Sequence, residues 1–371
     1  MSPNILKSTA LFSFLLVIFS ISQLKGKKVV INRAVYYWKN SAVFDNDKDS
    51  IYRQFVCNHK IKKVYVKMLD VDWVLKRGIV PITKTSLSEY SAGLEYLKPY
   101  KLPIDSNLAY YERPKENIAF IPVVFITNRA IAHLDSSNQS YIAEQILRHL
   151  FRLEKYTGQT INEYQVDCDW SETTKDKYFA LIKKMKTYLP TKKVSATIRL
   201  YQYKYFKKAG VPPVDKGMLM LYNLSNATQY NSKNSIFNLP EAIKYLPINH
   251  PYPLQLSVAL PMFSWGVLFN NYKYKAVVND MNTSKAKFLS FLREIRPYEY
   301  LVTCDTIYNE IPFEAGDLLK IEQCRDMELD LANFAMRRLP VNDSLEVSLF
   351  DLNAFDINNI RYESIEKAYS W

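Results

Sequence analysis

A chain of 371 residues, 48% of them hydrophobic, with 8 Gly and 17 Pro, is composed like a globular protein and unlike a disordered or collagen-like one. Its formal charge of +12 is spread over scattered lysines, as in "HKIKKVYVK" and "LIKKMKTYLPTKK". With no Arg-rich tract and no basic run interleaved with stacking aromatics, no nucleic acid is expected as partner.

The N-terminus "MSPNILKSTALFSFLLVIFSISQLKGKK" carries a lysine at position 7 and then an apolar run from Ala10 to Ile21. That run is short for a spanning helix and has the length of a signal-peptide hydrophobic region. Residues 1–26 are expected to be a signal peptide or an N-terminal anchor, with a buried N-terminal helix as the competing reading. The protein is therefore expected to be exported, to the periplasm, the cell surface or the medium, and to meet a membrane only through this segment. No cysteine follows the run, so a lipid-modified cysteine is not expected.

"VVINRAVYYW" (29–38) reads as a first strand, followed by a short helix near 47–57. "IKKVYVKMLDVDW" (61–73) is a second strand, with Asp70 and Asp72 at its C-terminal end. A long polar connection spans about 75–117. "AFIPVVFITN" (119–128) is a near-continuous apolar third strand, the pattern of a parallel sheet covered on both faces. Ile142, Ile146, Leu150 and Leu153 have helical spacing over 138–157. "NEYQVDCDW" (162–170) is the fourth strand. Ser171 then offers an N-cap to an amphipathic helix that Pro190 stops.

"KVSATIRLYQ" (193–202) and "KGMLMLYNL" (216–224) are strands five and six. A helix near 234–246 precedes "YPLQLSVALPMFSW" (252–265), strand seven. Residues 285–294 and 317–338 have helical spacing, and "LEVSLFDLNAF" (345–355) is the eighth strand, with 297–316 as an alternative source of strands in an inserted hairpin. Strands alternating with helices require crossover connections and a parallel sheet. Eight of them predict an α/β fold, a single (β/α)8 TIM-type barrel over 29–365, with no internal repeat and no linker to a second domain. The competing open sheet commonly carries a Gly-rich turn after strand one, which is missing, as are a phosphate-binding Gly-x-x-x-x-Gly-Lys loop and a Gly-x-Ser-x-Gly elbow.

Within "YQVDCDWSE" (164–172), alternation places Asp167, Asp169 and Ser171 on one face and Val166, Cys168 and Trp170 on the other. Carboxylates are not stable under the helices without partners, so the aspartates are expected to face the lumen, near the C-terminal mouth where barrel active sites lie. Two carboxylates this close resist ionising together, which suits acid/base work; a lumen hydrogen-bond network is the structural alternative. Cys168 is expected to pack as a small apolar group behind the strand. Other strand ends add Arg199 and Gln202, Tyr222 and Asn223, and Phe263, Ser264 and Trp265. Acidic groups, one arginine and aromatic rings around a mouth describe a carbohydrate site, with Trp170, Tyr222 and Trp265 as stacking candidates.

Four His, and four Cys (57, 168, 304, 324) with no Cys-x-x-Cys pair, argue against structural zinc. Export would make a Cys304–Cys324 disulfide available, but sequence leaves the pairing open. No cofactor is expected and no metal ligand is assigned. A site of oxygen ligands for Mg²⁺ or Ca²⁺ built from Asp70, Asp72, Asp167 and Asp169 remains an alternative.

"VDCDW" resembles the Asp-x-Asp-x-Glu motif on strand four of family 18 glycoside hydrolases, the chitinase-like barrels, and "MLYN" (220–223) is similar to their Met-x-Tyr-Asp on strand six. The resemblance implies that Asp167 and Asp169 are the motif's aspartates and Tyr222 its tyrosine. The chain departs from the motif at Ser171, which stands where the acid glutamate is expected, and at Asn223, which replaces an aspartate. Glu172 is one residue late and has the wrong strand parity unless the strand breaks at Trp170. A wider resemblance is to the bacterial domain of unknown function 3142: "YQVDCDWSETTKDKYFALIKKMKTYLPTKKVSATIRL", "KGMLMLYNL" and "LQLSVALPMFSWG" fit its pattern.

The resulting expectation is an exported glycoside-hydrolase-like protein. Asp169 or Glu172 would donate the proton, Asp167 would tune it and Tyr222 would bond the sugar, with Asp72, Arg199, Asn223 and Trp265 binding substrate. The alternative is a non-catalytic carbohydrate or envelope-polymer binding protein on the same barrel.

Overall fold

The computed structural model describes residues 29–39, 46–82, 118–157 and 160–371. Residues 1–26 and most of the 75–117 connection lie outside them. The strands are β1 (Val30–Tyr37), β2 (Lys63–Val74), β3 (Gly78–Ile82), β4 (Ala119–Ile126), β5 (Glu163–Asp167), β6 (Lys193–Arg199), β7 (Lys216–Met220) and β8 (Leu256–Pro261). Next come β9 (Ser264–Asn270), β10 (Lys273–Asn279), β11 (Leu292–Arg296), β12 (Glu299–Val302), β13 (Thr306–Tyr308), β14 (Ile311–Phe313), β15 (Leu318–Gln323) and β16 (Ser344–Phe350). The helices used below are α1 (Asn46–Asn58), α2 (Asn128–Ala132), α3 (Gln139–Thr157), α4 (Lys175–Thr187), α5 (Leu200–Lys204), α6 (Phe206–Ala209), α7 (Leu239–Tyr245), α8 (Thr283–Lys287) and α9 (Asp326–Met336).

One nine-stranded sheet runs β1-β16-β8-β7-β6-β5-β4-β2-β3, and β1 also pairs with β2 in parallel. That pairing closes eight parallel strands into a (β/α)8 barrel, with β3 as an antiparallel flap on the end of β2. The fold follows from the sequence pattern. β4 is apolar along nearly its whole length because the lumen takes one face and helices the other. Ile142, Ile146, Leu147 and Leu150 bury one stripe of α3, and Tyr178, Leu181, Ile182 and Met185 one stripe of α4. Gly217 lets β7 lie close to its neighbours, since a Cβ there would meet Leu256 at 2.8 Å and Ile198 at 2.9 Å. Helix α4 starts later than expected: Thr174 is its N-cap residue, and Ser171 opens the preceding turn, its N–H donating to Thr174 Oγ1 at 2.9 Å.

The stretch 264–323 departs most from expectation. Strand seven ends at Pro261, and Ser264 begins a five-stranded antiparallel sheet ordered β10-β9-β15-β12-β11, with a β13–β14 hairpin beside it. Of the expected 285–294 helix only 285–287 is helical, as the end of Thr283–Lys287, and 318–323 is strand β15 rather than the start of a helix. This inserted sheet has its own core of Leu268, Val278, Met281, Tyr300, Phe313, Leu319 and Ile321. The chain returns through α9 to β16.

The N-terminal end of the lumen is plugged by charge. Glu346 takes Lys63 at 2.6 Å, Lys216 at 3.2 Å and the Tyr65 hydroxyl at 2.5 Å, while Ser195 donates to Glu163 at 2.7 Å. Burial would raise the Glu346 pKa, but Lys216 and Lys63 hold it below the ordinary carboxylate value. Above the plug, the Tyr36 hydroxyl donates to Gln165 at 2.5 Å. The lumen is a packed core, and the candidate site is at its other end.

Candidate active site at the barrel mouth

Asp167 closes β5 on the face shared with Glu163 and Gln165, and only 6% of it is exposed. Thr197, on the matching face of β6, donates its hydroxyl to the Asp167 carboxylate at 2.5 Å. Burial, reinforced by the charge of Asp169, pushes the Asp167 pKa up to about 6; Thr197, Arg199 and Lys67 pull against that rise. Asp169 lies two residues on, at the rim, where Arg199 forks its guanidinium onto both carboxylate oxygens. Asp169 is therefore neutralised by a fixed partner, and Asp167 below it is not.

The floor of the mouth is aromatic. Tyr222 stacks on Phe350 at 4.8 Å and meets Phe263 edge-on at 5.6 Å, while Phe350 also contacts Trp38 at 5.4 Å. Trp38 packs edge-on against Phe125 at 6.2 Å, and the Lys67 ammonium lies 5.2 Å from the Trp38 ring. The Tyr222 phenol is fully buried; burial and then the Asp167 charge raise its pKa, so it remains a hydrogen-bond donor near neutrality. Sequence reading missed Trp38, Lys67 and Phe350. Strand parity would have found Lys67, which follows Lys63 and Tyr65 on the lumen face.

The other expected residues lie apart from this floor. Asp72 is clasped by Arg129, by Thr127 Oγ1 at 2.5 Å and by the Trp73 N–H at 2.8 Å. Burial would raise its pKa, but those donors bring it below the ordinary value. Asp72 thus ties the end of β2 to the start of α2. Asp70 pairs with Lys67 at 2.8 Å. The four aspartates of the alternative metal site are each engaged by a different protein group, and no cluster able to hold a metal is found among the described residues.

Glu172 is on the exposed rim, 3.0 Å from both Lys208 and the Tyr201 hydroxyl, and its Lys208 hydrogen bond lowers its pKa. Asn223 has a left-handed backbone (φ 55°), and its buried Oδ1 has no hydrogen-bond donor among the described residues. Trp265 belongs to β9 of the insert, touches Phe263 edge-on at 5.4 Å and donates its Nε1–H to Glu322 at 3.0 Å.

Trp170 is not a stacking surface. It is buried on the opposite face of the strand, stacked on Tyr178 at 5.2 Å, with its indole N–H given to Ala209 O at 3.0 Å. Cys168 is buried beside it as expected. All four cysteines are free thiols, so Cys304 and Cys324 are not joined.

A second acidic cluster, not singled out in sequence, joins the mouth to the insert. Asp351 follows Phe350 directly and lies 3.8 Å from Lys39, which also reaches Asp280 at 3.2 Å. Asp356 accepts from Ser264 at 2.7 Å, and Asn353 donates to Asp280 at 2.6 Å. Burial raises Asp351 to about 7 against the pull of Lys39, and burial raises Asp356 to about 6 against its Ser264 and Asn282 hydrogen bonds. Asp351 and Asp167 both act electrostatically on the Tyr222 phenol.

Fold and site together define a (β/α)8 barrel with an acidic, aromatic-floored mouth. The chain is similar to the spore cortex-lytic enzyme SleL of Bacillus cereus, with 11% identity over 93% of this chain and 76% of that chain at a TM-score of 0.49. It is also similar to a chitinase-like agglutinin of Robinia pseudoacacia, with 10% identity, 91% and 98% coverage and a TM-score of 0.47. A chitinase of Chromobacterium violaceum matches with 9% identity, 92% and 98% coverage and a TM-score of 0.47. No family model and no curated protein matches the chain.

Proposed function

We propose that this protein is an exported glycan-binding barrel that holds a sugar at the mouth without relying on the acid glutamate of the motif it resembles. The observation that carries this reading is the Arg199 fork on Asp169. A carboxylate held by two charge-assisted hydrogen bonds is a poor proton donor but a rigid acceptor for sugar hydroxyls. Ser171, in the glutamate's place, opens the turn into α4 and carries no acid. Trp38 and Phe350, both partly exposed, supply ring faces for the apolar side of a sugar, with Tyr222 buried beneath Phe350 as their support, and Asp167 supplies a buried polar contact. Export is inferred from the apolar run Ala10–Ile21 behind Lys7.

A second reading, glycoside hydrolysis, is favoured by one observation. Asp167 and Asp351 are both raised toward neutrality and both act on the same tyrosine. A protonated carboxyl near neutral pH is what a general acid requires. One experiment separates the two. Wild type and Asp169→Asn are screened on a glycan array, and array-positive glycans are incubated with wild type while reducing ends are counted. Binding without new reducing ends is the expected result; release of reducing ends lost in Asp167→Asn would replace it with the hydrolytic reading. If no glycan binds, both readings are wrong.

A further inference from the structure

Helix α3 carries an exposed stripe on its outer side. Tyr141, Glu144, Arg148, Phe151, Arg152 and Lys155 recur at three- and four-residue spacing, and all are exposed. The C-terminal half of the stripe borders a cleft of about 350 Å³, shared with Leu147 and with Tyr188 from the end of α4. Two large rings are open to solvent there, Phe151 at 40% and Tyr188 at 43%. Lys184 lies 5.7 Å from the Tyr188 ring.

The charge is one-sided. Glu144 is satisfied by Arg148 at 2.6 Å, so that pair is neutral. Among the described residues no carboxylate pairs with Arg152, Lys155 or Lys184. The field is strong enough for Arg152, after burial, to help depress the His149 pKa.

The patch also has a defined place. A helix that follows a parallel strand runs back toward the strand starts, so the ends of α3 and α4 lie at the N-terminal end of the barrel. β1 begins at that same end, where Val30 N–H donates to Asp343 O at 2.9 Å. The candidate site is at the opposite end.

We propose that this end of the barrel docks on an anionic lipid surface, with Phe151 and Tyr188 seated among the headgroups and Arg152, Lys155 and Lys184 against their phosphates. Aromatic rings flanked by cations are side chains that favour a membrane interface, Tyr188 as an amphipathic ring and Phe151 as an apolar one, and a positively charged protein gains from a negatively charged leaflet. The docking leaves the mouth facing away from the membrane, toward soluble or wall-borne polymer. It is independent of what the mouth binds.

The test is co-sedimentation of the full chain with vesicles of phosphatidylcholine alone and with 30% phosphatidylglycerol. Wild type is expected to prefer the anionic vesicles. Arg152→Gln/Lys155→Gln removes two cations and is expected to weaken anionic binding by about 30-fold, from the usual contribution of each basic residue at such a surface. It should leave binding to neutral vesicles unchanged, so any attachment through the N-terminal segment is separated. Phe151→Ser is expected to weaken binding with all charges kept. Lys273→Gln, an exposed lysine of the inserted sheet, is expected to bind as wild type. Circular dichroism melts confirm that each variant is folded.

Equal binding to both vesicles, or a double variant that keeps the anionic preference, overturns the proposal. So does a double variant that loses affinity for a DNA oligonucleotide while keeping vesicle binding, which assigns the patch to nucleic acid.

Discussion

Asp167→Asn is expected to stabilise the protein while abolishing ligand binding. Asp167 is 6% exposed and its pKa is raised to about 6 from an ordinary 3.8. A carboxyl raised in the folded state favours folding most when it is protonated. Its contribution is complete below about pH 4, declines as pH rises through about 6, and is absent at pH 8. A rise of about two units corresponds to about 3 kcal/mol of penalty on the ionised form. Asparagine keeps an oxygen to accept from Thr197 and never ionises, so the gain at pH 8 is about 1–3 kcal/mol after some loss of fit. At roughly 2.1 cal/mol/K of unfolding entropy per residue, a chain of this length shifts by about 1–4 °C. The assay is a thermal melt of wild type and variant at pH 4 and pH 8, with glycan binding measured on the same samples. The predicted result is a gain at pH 8, little change at pH 4, and lost binding. A variant that melts lower at pH 8 would instead place Asp167 in a structural lumen network whose ionised form stabilises the fold.

Asp169→Asn is expected to lower glycan affinity at least 10-fold but to change stability by no more than about 1 kcal/mol, because the Arg199–Asp169 pair is partly solvent-exposed; array titration and a urea melt check the two parts. For Asp351, whose pKa is raised to about 7, wild-type stability should fall as pH rises through 7, and Asp351→Asn should remove that slope in melts between pH 5 and 9. Gly266→Ala places a Cβ 2.7 Å from Leu319 and 3.2 Å from Met281, an overpacking that should cost about 1–3 kcal/mol, read as a lower denaturation midpoint.

The barrel was legible in the sequence because its signals are local. The eight parallel strands fall where apolar runs alternate with helical spacing, and the parity of "YQVDCDW" puts Asp167 on the lumen face and Trp170 and Cys168 behind it. Trp170, on the helix-facing side by that same parity, is buried against Tyr178 and is no stacking surface for a ligand. The insert was obscured because an antiparallel edge sheet and a short amphipathic helix share a composition: "LLKIEQ" (318–323) has apolar groups compatible with either period, and only pairing with β9 and β12 decides it. A register shift between Lys67 and Leu69 was equally hidden. The bulge leaves Met68 as the extra residue and brings Lys67 and Asp70 together, although simple alternation separates them. The aromatic floor needed three dimensions: Trp38, Phe125, Tyr222 and Phe350 come from four strand ends spread over more than 300 residues. Asp351 stood out in neither period nor motif; its chemistry arises from burial beside Lys39.

The aromatic, acidic mouth is proposed to hold a glycan. The most direct test is an equilibrium titration of an array-positive glycan against wild type, Asp169→Asn, Trp38→Ala and Phe288→Ala, the last a 90% exposed residue of the insert. Asp169→Asn and Trp38→Ala are each expected to lose at least about 10-fold in affinity, in line with about 1.4 kcal/mol for one hydrogen-bonding or stacking contact, while Phe288→Ala is expected to bind as wild type. Glycan binding unchanged in both mouth variants would contradict the proposal.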